Sequence, residues 1–268
     1  MNILKKMVCI LPTLPILLSC ASMKEGDATA RQLDIMEITI EDIHDGYRDG
    51  PVTAVKLVQQ YLDRIHAYDQ SGPRINSIIT LNSNALAEAA QLDRERQEKG
   101  VRGPLHGIPV LLKDNINTVD MPTTNGSAIL RNVIPPNDAT LTRSLREAGA
   151  IILGKASMGE FAGGSYNSVT GQTINPYNFK RDTGGSSSGS AAAIAANFAV
   201  LAVGTDTSTS VRGPAAYNGI VGLRPTTGLI SRAGIAPKDL EFDTAGPMAR
   251  TVTDVAHMLS VIAAPDPA

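Results

Sequence analysis

Two serine-bearing turns and one lysine carry most of the chemistry this sequence can offer. The first turn reads Thr183-Gly184-Gly185-Ser186-Ser187-Ser188-Gly189-Ser190 and runs into the small-residue stretch Ala191-Ala192-Ala193-Ile194-Ala195-Ala196. The second follows a short apolar run and reads Thr205-Asp206-Thr207-Ser208-Thr209-Ser210-Val211-Arg212. Glycines let a backbone turn sharply and approach a ligand closely. Serines cap the helix expected to start near Ser190. Such a helix end presents unpaired N–H groups and the positive end of the dipole. Taken alone, the first turn also reads as a flexible Gly/Ser linker. A P-loop is disfavoured, because no Gly-Lys-Ser/Thr closes the segment.

The lysine is Lys113, in Gly107-Ile108-Pro109-Val110-Leu111-Leu112-Lys113-Asp114-Asn115. A Pro/Gly turn leads into an apolar strand, and the strand delivers Lys113 at its end. A lysine there is costly unless neutralised or paired. One reading is a strand-end lysine that reaches solvent or pairs with Asp114. The other is a base, which requires the pKa to fall from about 10.4 to roughly 7–8. Burial, a nearby cation or the positive end of a helix would each lower it. A lysine base, a relay serine and a nucleophilic serine form a Ser-Lys variant of triad logic. The N–H groups of the tight turn at residues 207–210 would then form an oxyanion hole. A Ser-His-Asp alternative has only His106 to offer, in a Pro/Gly turn where a structural role is expected.

The elements that must position these residues alternate between helix and strand. Residues 53–69 have helical period, with Val55, Val58, Tyr61, Leu62 and Ile65 on one face. Residues 76–81 read as a short strand, and 84–99 as a helix with Asn84 as cap and Gly100 as stop. Asp138 is expected to cap a helix to Ala148, followed by a buried strand at 150–153 and a short helix at 157–162. Residues 167–181 read as a polar loop, 219–223 and 228–231 as short strands, and 251–263 as an amphipathic helix capped by Thr251 with Asp254 three residues on. Several strands are apolar throughout, which argues for an α/β fold whose sheet is covered by helices on both faces.

Composition narrows the function classes. The 268 residues carry a formal net charge of −2, from 24 basic and 26 acidic residues, so neither nucleic acid nor an acidic polymer is an expected partner. Aromatic residues make up 4% and Trp is absent, which argues against base-stacking platforms. The two cysteines, Cys9 and Cys20, lie in the N-terminal segment, so the globular part has no disulfide or thiolate metal site. The four histidines, His44, His66, His106 and His257, are scattered, and no metal or cofactor is expected.

The N-terminus reads as an export signal over residues 1–20. Lys5 and Lys6 form the positive region, and residues 7–18 form an apolar stretch too short to span a bilayer. The ending Leu17-Leu18-Ser19-Cys20 resembles a bacterial lipobox, which implies lipidation of Cys20 and a lipid anchor in the membrane. An ordinary signal cut near Ala21 is the alternative. Residues 21–33 read as a polar tether and 34–268 as the catalytic domain. The protein is expected in a bacterial cell envelope, lipid-anchored or periplasmic or secreted.

Together the residues around Lys113, the Ser186 segment and the 204–212 segment resemble the amidase signature family, with Gly213-Pro214-Ala215-Ala216 and Pro225-Thr226 fitting as well. The 24-residue spacing of Ser186 and Ser210 is also that of the family. The resemblance implies the mixed-sheet amidase signature fold, with the family's second half missing from this chain. It implies Ser210 as nucleophile, Ser186 as the proton relay joined to Gly185 by a cis peptide, and Lys113 as general base and acid. Thr207, Ser208 and Thr209, with Ser210, match the oxyanion hole, and Ser188, Thr205 and Arg212 match supporting polar positions. The implied substrate is a small amide or peptide amide. Ser71-Gly72-Pro73-Arg74-Ile75-Asn76 and the stretch from Arg102 to Pro109 look closest to bacterial peptide amidases. Ser208-Thr209 stands where the family often has Gly-Gly, and a β-branched residue tolerates unusual φ poorly. Two alternative functions stand beside hydrolysis. One is a catalytically impaired envelope lipoprotein that binds without hydrolysing, and the other is a protein like the A-subunit of the tRNA-dependent amidotransferases.

Overall fold

The computed structural model describes residues 34–50 and 52–264. The proposed signal, the tether and Cys20 lie outside the described residues. Among the described residues, no helix is long and apolar enough to cross a membrane.

Two capped helices open the unit. Thr39 builds a capping box with Asp42 at the start of α1 (Ile40–Asp49), and Thr53 caps α2 (Ala54–Ile65) by accepting from Lys56 N. α2 buries Ala54, Leu57, Val58, Tyr61 and Ile65, while Val55 and Leu62, expected on the same face, are only partly buried against the core. A π-turn (His66–Gln70) leads to β1 (Ile78–Leu81) and then α3 (Ala85–Lys99), which ends at Gly100 with φ +83°.

Three of the strands buried along their whole length form the sheet's centre: β2 (Pro109–Lys113), β3 (Ile151–Ala156) and β6 (Leu201–Asp206). They run parallel in the order β3-β2-β6, as expected of near-continuous apolar runs covered on both faces. β1 adds antiparallel to β3. On the other side, β8 (Thr244–Ala249) lies antiparallel to β6, and β7 (Val221–Gly222) antiparallel to β8. The sheet therefore reads β1-β3-β2-β6-β8-β7. Leu112 pairs with Val203, so the ends of β2 and β6 arrive side by side, with Lys113 on one and Thr205 on the other.

α4 (Thr140–Glu147), α5 (Ser188–Ala195), α6 (Arg212–Tyr217) and α7 (Val252–Ile262) complete the helices, and a small hairpin, β4 (Tyr166–Asn167) and β5 (Gly171–Gln172), interrupts the loop expected at 167–181. α5 is buried on every side. Its small residues are needed: a Cβ on Gly189 would sit 2.3 Å from Ser77 O and 2.4 Å from Ser157 N.

Several local expectations change. Ala139, not Asp138, is the cap of α4; the Asp138 carboxylate instead accepts from Val119 N and pairs with Arg146. Residues 157–162 form only a 3-10 turn at Glu160–Ala162. No strand forms at 228–231, where Ile230 makes a single bridge to Ala264. The Thr251 cap of α7 is present and accepts from Asp254 N at 3.0 Å.

Candidate active site

β2 delivers Lys113 into the interior with its side chain fully buried. Strand side chains alternate between faces, so Lys113 leaves the sheet opposite Leu112 and Asp114. That geometry removes the pairing with Asp114: the Asp114 carboxylate lies 3.4 Å from Lys155 of β3 instead. Lys113 Nζ meets only neutral oxygens, Ser186 Oγ at 2.7 Å, Thr205 Oγ1 at 2.8 Å and Thr205 O at 3.2 Å. Burial pushes its pKa down to about 7, against the opposing pull of Asp206 and Asp243. Asn115 Nδ2 donates to the same Thr205 hydroxyl at 3.1 Å.

Ser186 stands just before α5. The Gly185–Ser186 peptide is cis and Gly184 takes φ +68°. Gly185 has no room for a side chain, since a Cβ there would lie 1.9 Å from Gly164 O. Ser187 locks this turn to β6, accepting from Thr205 N and donating to Thr205 O, each at 3.2 Å. Its backbone N–H donates to Ser210 O at 3.3 Å, which ties the two serine turns together. Ser188 is buried away from this cluster and donates to Thr173 Oγ1 at 3.3 Å. Its contact is to the polar packing beneath α5, not to Lys113.

The second turn hangs from Asp206, the last residue of β6. Its buried carboxylate accepts from Val211 N at 3.0 Å and pairs with Arg212 at 3.3 Å and Arg224 at 3.0 Å. Burial raises its pKa, but the N–H groups of Val211 and Arg212 and the Arg212 guanidinium outweigh that and hold it below the ordinary carboxylate value. Arg212 also donates to Ser208 O, and Arg224 to Asp206 O and Phe242 O. The Thr207 hydroxyl donates to Asp243 at 2.5 Å. Ser208 and Thr209 are exposed, and Ser210 is buried. Among the described residues, the N–H groups of Ser208, Thr209 and Ser210 meet no internal acceptor. Neither Ser208 nor Thr209 takes a left-handed backbone, so the turn forms without the glycines that the family often has there.

The structure thus brings Lys113, Ser186, Thr205 and the 207–212 turn to the same ends of β2 and β6. Asp206, Arg224 and Asp243 are the members that sequence reasoning missed. His106 is structural: its ring contacts Leu92 O at 3.0 Å and Arg102 N at 3.3 Å. Among the described residues, no three His, Cys, Asp or Glu stand together to hold a metal. Chemically, the arrangement offers a buried amine near half-neutral at pH 7 against a hydroxyl, beside a turn with unengaged N–H donors.

Comparison with known proteins places the fold in a family. The amidase family profile matches residues 56–268. The A-subunit of the glutamyl-tRNA(Gln) amidotransferase of Alkaliphilus metalliredigens is 47% identical over 238 residues, covering 88% of this chain and 48% of that protein. The native peptide amidase of Stenotrophomonas maltophilia superposes with a TM-score of 0.84 at 49% identity, covering 86% of this chain and 49% of that one. An amidase family protein from Bacillus anthracis gives a TM-score of 0.85 at 43% identity, over 87% of this chain and 48% of that one. The chain spans about half the length of these relatives.

Proposed function

The chain belongs to the amidase family, and from that premise we propose that it hydrolyses amides through an acyl-enzyme on Ser210. Neutral Lys113 takes the Ser186 proton as Ser186 takes the Ser210 proton. The Ser210 Oγ–carbon bond forms, and the carbonyl oxygen becomes an oxyanion held by the N–H groups of the 207–210 turn. The proton then returns from Lys113 through Ser186 to the leaving nitrogen, the C–N bond breaks, and ammonia or an amine departs. Water, deprotonated along the same relay, hydrolyses the ester and frees Ser210. The observation that carries this reading is the buried amine of pKa about 7 lying 2.7 Å from Ser186 Oγ. A lysine without that depression would stay charged and could not act as a base near neutrality.

The substrate on this reading is a small amide or peptide amide; the likeness to the Stenotrophomonas peptide amidase supports the latter. Export and a lipid anchor at Cys20 rest on the sequence of residues 1–20 alone. A second reading, a role like that of an amidotransferase A-subunit, is favoured by the Alkaliphilus relative; an unprocessed Met1 on cytosolic protein would support it over export. The hydrolase reading is tested by intact-mass analysis after treatment with a fluorophosphonate. One adduct on the wild type and none on Ser210→Ala is expected. No adduct on folded wild type contradicts the reading.

A further inference from the structure

A cavity of about 240 Å3 opens beside the proton relay. Thr205 lines it, and the Thr205 hydroxyl holds Lys113 Nζ at 2.8 Å. Asp243 lines it too, and it anchors the Thr207 hydroxyl. The other walls are Arg232, Ala233, Ile235, Pro237, Leu240 and Ala245, with Asp239 and Thr244, and the surface presented is largely apolar. Its two carboxylates are engaged by the loop around them. Asp243 accepts from Lys238 N at 2.7 Å and Asp239 N at 3.0 Å, and Asp239 accepts from Glu241 N at 2.8 Å and Phe242 N at 3.0 Å. Leu240, which lines the cavity, is 75% exposed, so a substitution there can be made without disturbing the core.

Resting on the hydrolase reading, we propose that this cavity receives an apolar group carried on the leaving nitrogen. The preferred substrates are then N-substituted amides with a neutral aliphatic or phenyl-sized amine part. The relay suggests the side through Thr205. The leaving nitrogen takes its proton from Ser186, Ser186 is fed by Lys113, and Lys113 is held by Thr205, a residue that also lines the cavity. On this proposal a group on that nitrogen enters the space that Thr205 borders. The size fits, since an apolar cavity of about 150 Å3 already admits benzene.

The test compares kcat/KM for N-benzylacetamide and acetamide in the wild type, in Leu240→Asp and in Ala233→Leu. The wild type is expected to favour the benzyl amide by about tenfold or more, and both variants to cut that ratio at least severalfold. A wild-type ratio near one, or a ratio that neither variant moves, overturns the proposal while leaving the hydrolase reading intact. Absence of turnover on both amides counts against the hydrolase reading. The cavity is then judged by binding of N-benzylacetamide to Ser210→Ala: weakening on adding Leu240→Asp upholds the cavity's role, and unchanged or undetectable binding overturns it.

Discussion

Two lysines sit at the ends of neighbouring parallel strands, both with fully buried side chains, and they meet different partners. Lys155 of β3 faces the Asp114 carboxylate at 3.4 Å, the Thr123 hydroxyl at 2.9 Å and Pro122 O at 3.1 Å. Lys113 of β2 faces two hydroxyls and a carbonyl. Burial pushes both amines down, but only at Lys155 does a carboxylate in direct contact pull the other way. The same side chain at the same depth therefore has a carboxylate partner in one place and only neutral oxygens in the other. One residue of strand register decides it, because Asp114 and Lys113 leave β2 on opposite faces.

The contrast can be broken from either side. Lys113→Met is expected to lower amide turnover by roughly 10²–10⁴-fold, the usual worth of a positioned acid-base group. It should not unfold the protein. The unfolded chain keeps its lysine proton to about pH 10.4 and the folded one sheds it near 7, so the wild type gains stability as pH rises between those values and carries the burial penalty below them. Retained turnover in Lys113→Met would put the base elsewhere. Lys155→Met should do the opposite. It leaves Asp114 buried without its cation and is expected to cost about 3–5 kcal/mol in urea denaturation. Adding Asp114→Leu should restore much of that stability. A fall in kcat as large as that of Lys113→Met, in folded Lys155→Met protein, would erase the distinction. The smallest effect is expected at the turn itself. Ser208→Gly or Thr209→Gly should change kcat/KM by less than about tenfold, well below the loss of a single oxyanion donor, because neither residue takes a left-handed backbone and only their N–H groups point to use.

Much of this site was legible in the sequence because it lies in three short segments with unusual composition. The apolar run ending in Lys113 predicted a buried strand, and its burial is what lowers the amine. The glycines before Ser186 signalled a sharp turn and a close approach, and what approaches Gly185 is the backbone at Gly164 O rather than a ligand. What escaped notice depends on residues far apart in the chain. Arg224 and Asp243 clamp the 207–212 turn from 18 and 36 residues away, and nothing local distinguishes them from surface charges. β8 was hidden because Gly246 and Pro247 disfavour a strand by local propensity, yet its pairing with β6 overrides that. α1 carried its signal in Thr39 and Asp42, a capping box that precedes a weakly apolar helix. Asp138 misled because an acidic residue ahead of a helix reads as a cap, while here Val119 N and Arg146 claim it.

The central claim is that Lys113 is the titrating base, and the rate of fluorophosphonate labelling of Ser210 followed from pH 5 to 9 tests it most directly. Because the neutral amine is the active form, the wild-type rate should rise about tenfold per pH unit and level off above about pH 7. In Lys113→Met it should be slower and lack that limb. A limb near pH 7 that survives in Lys113→Met would contradict the account.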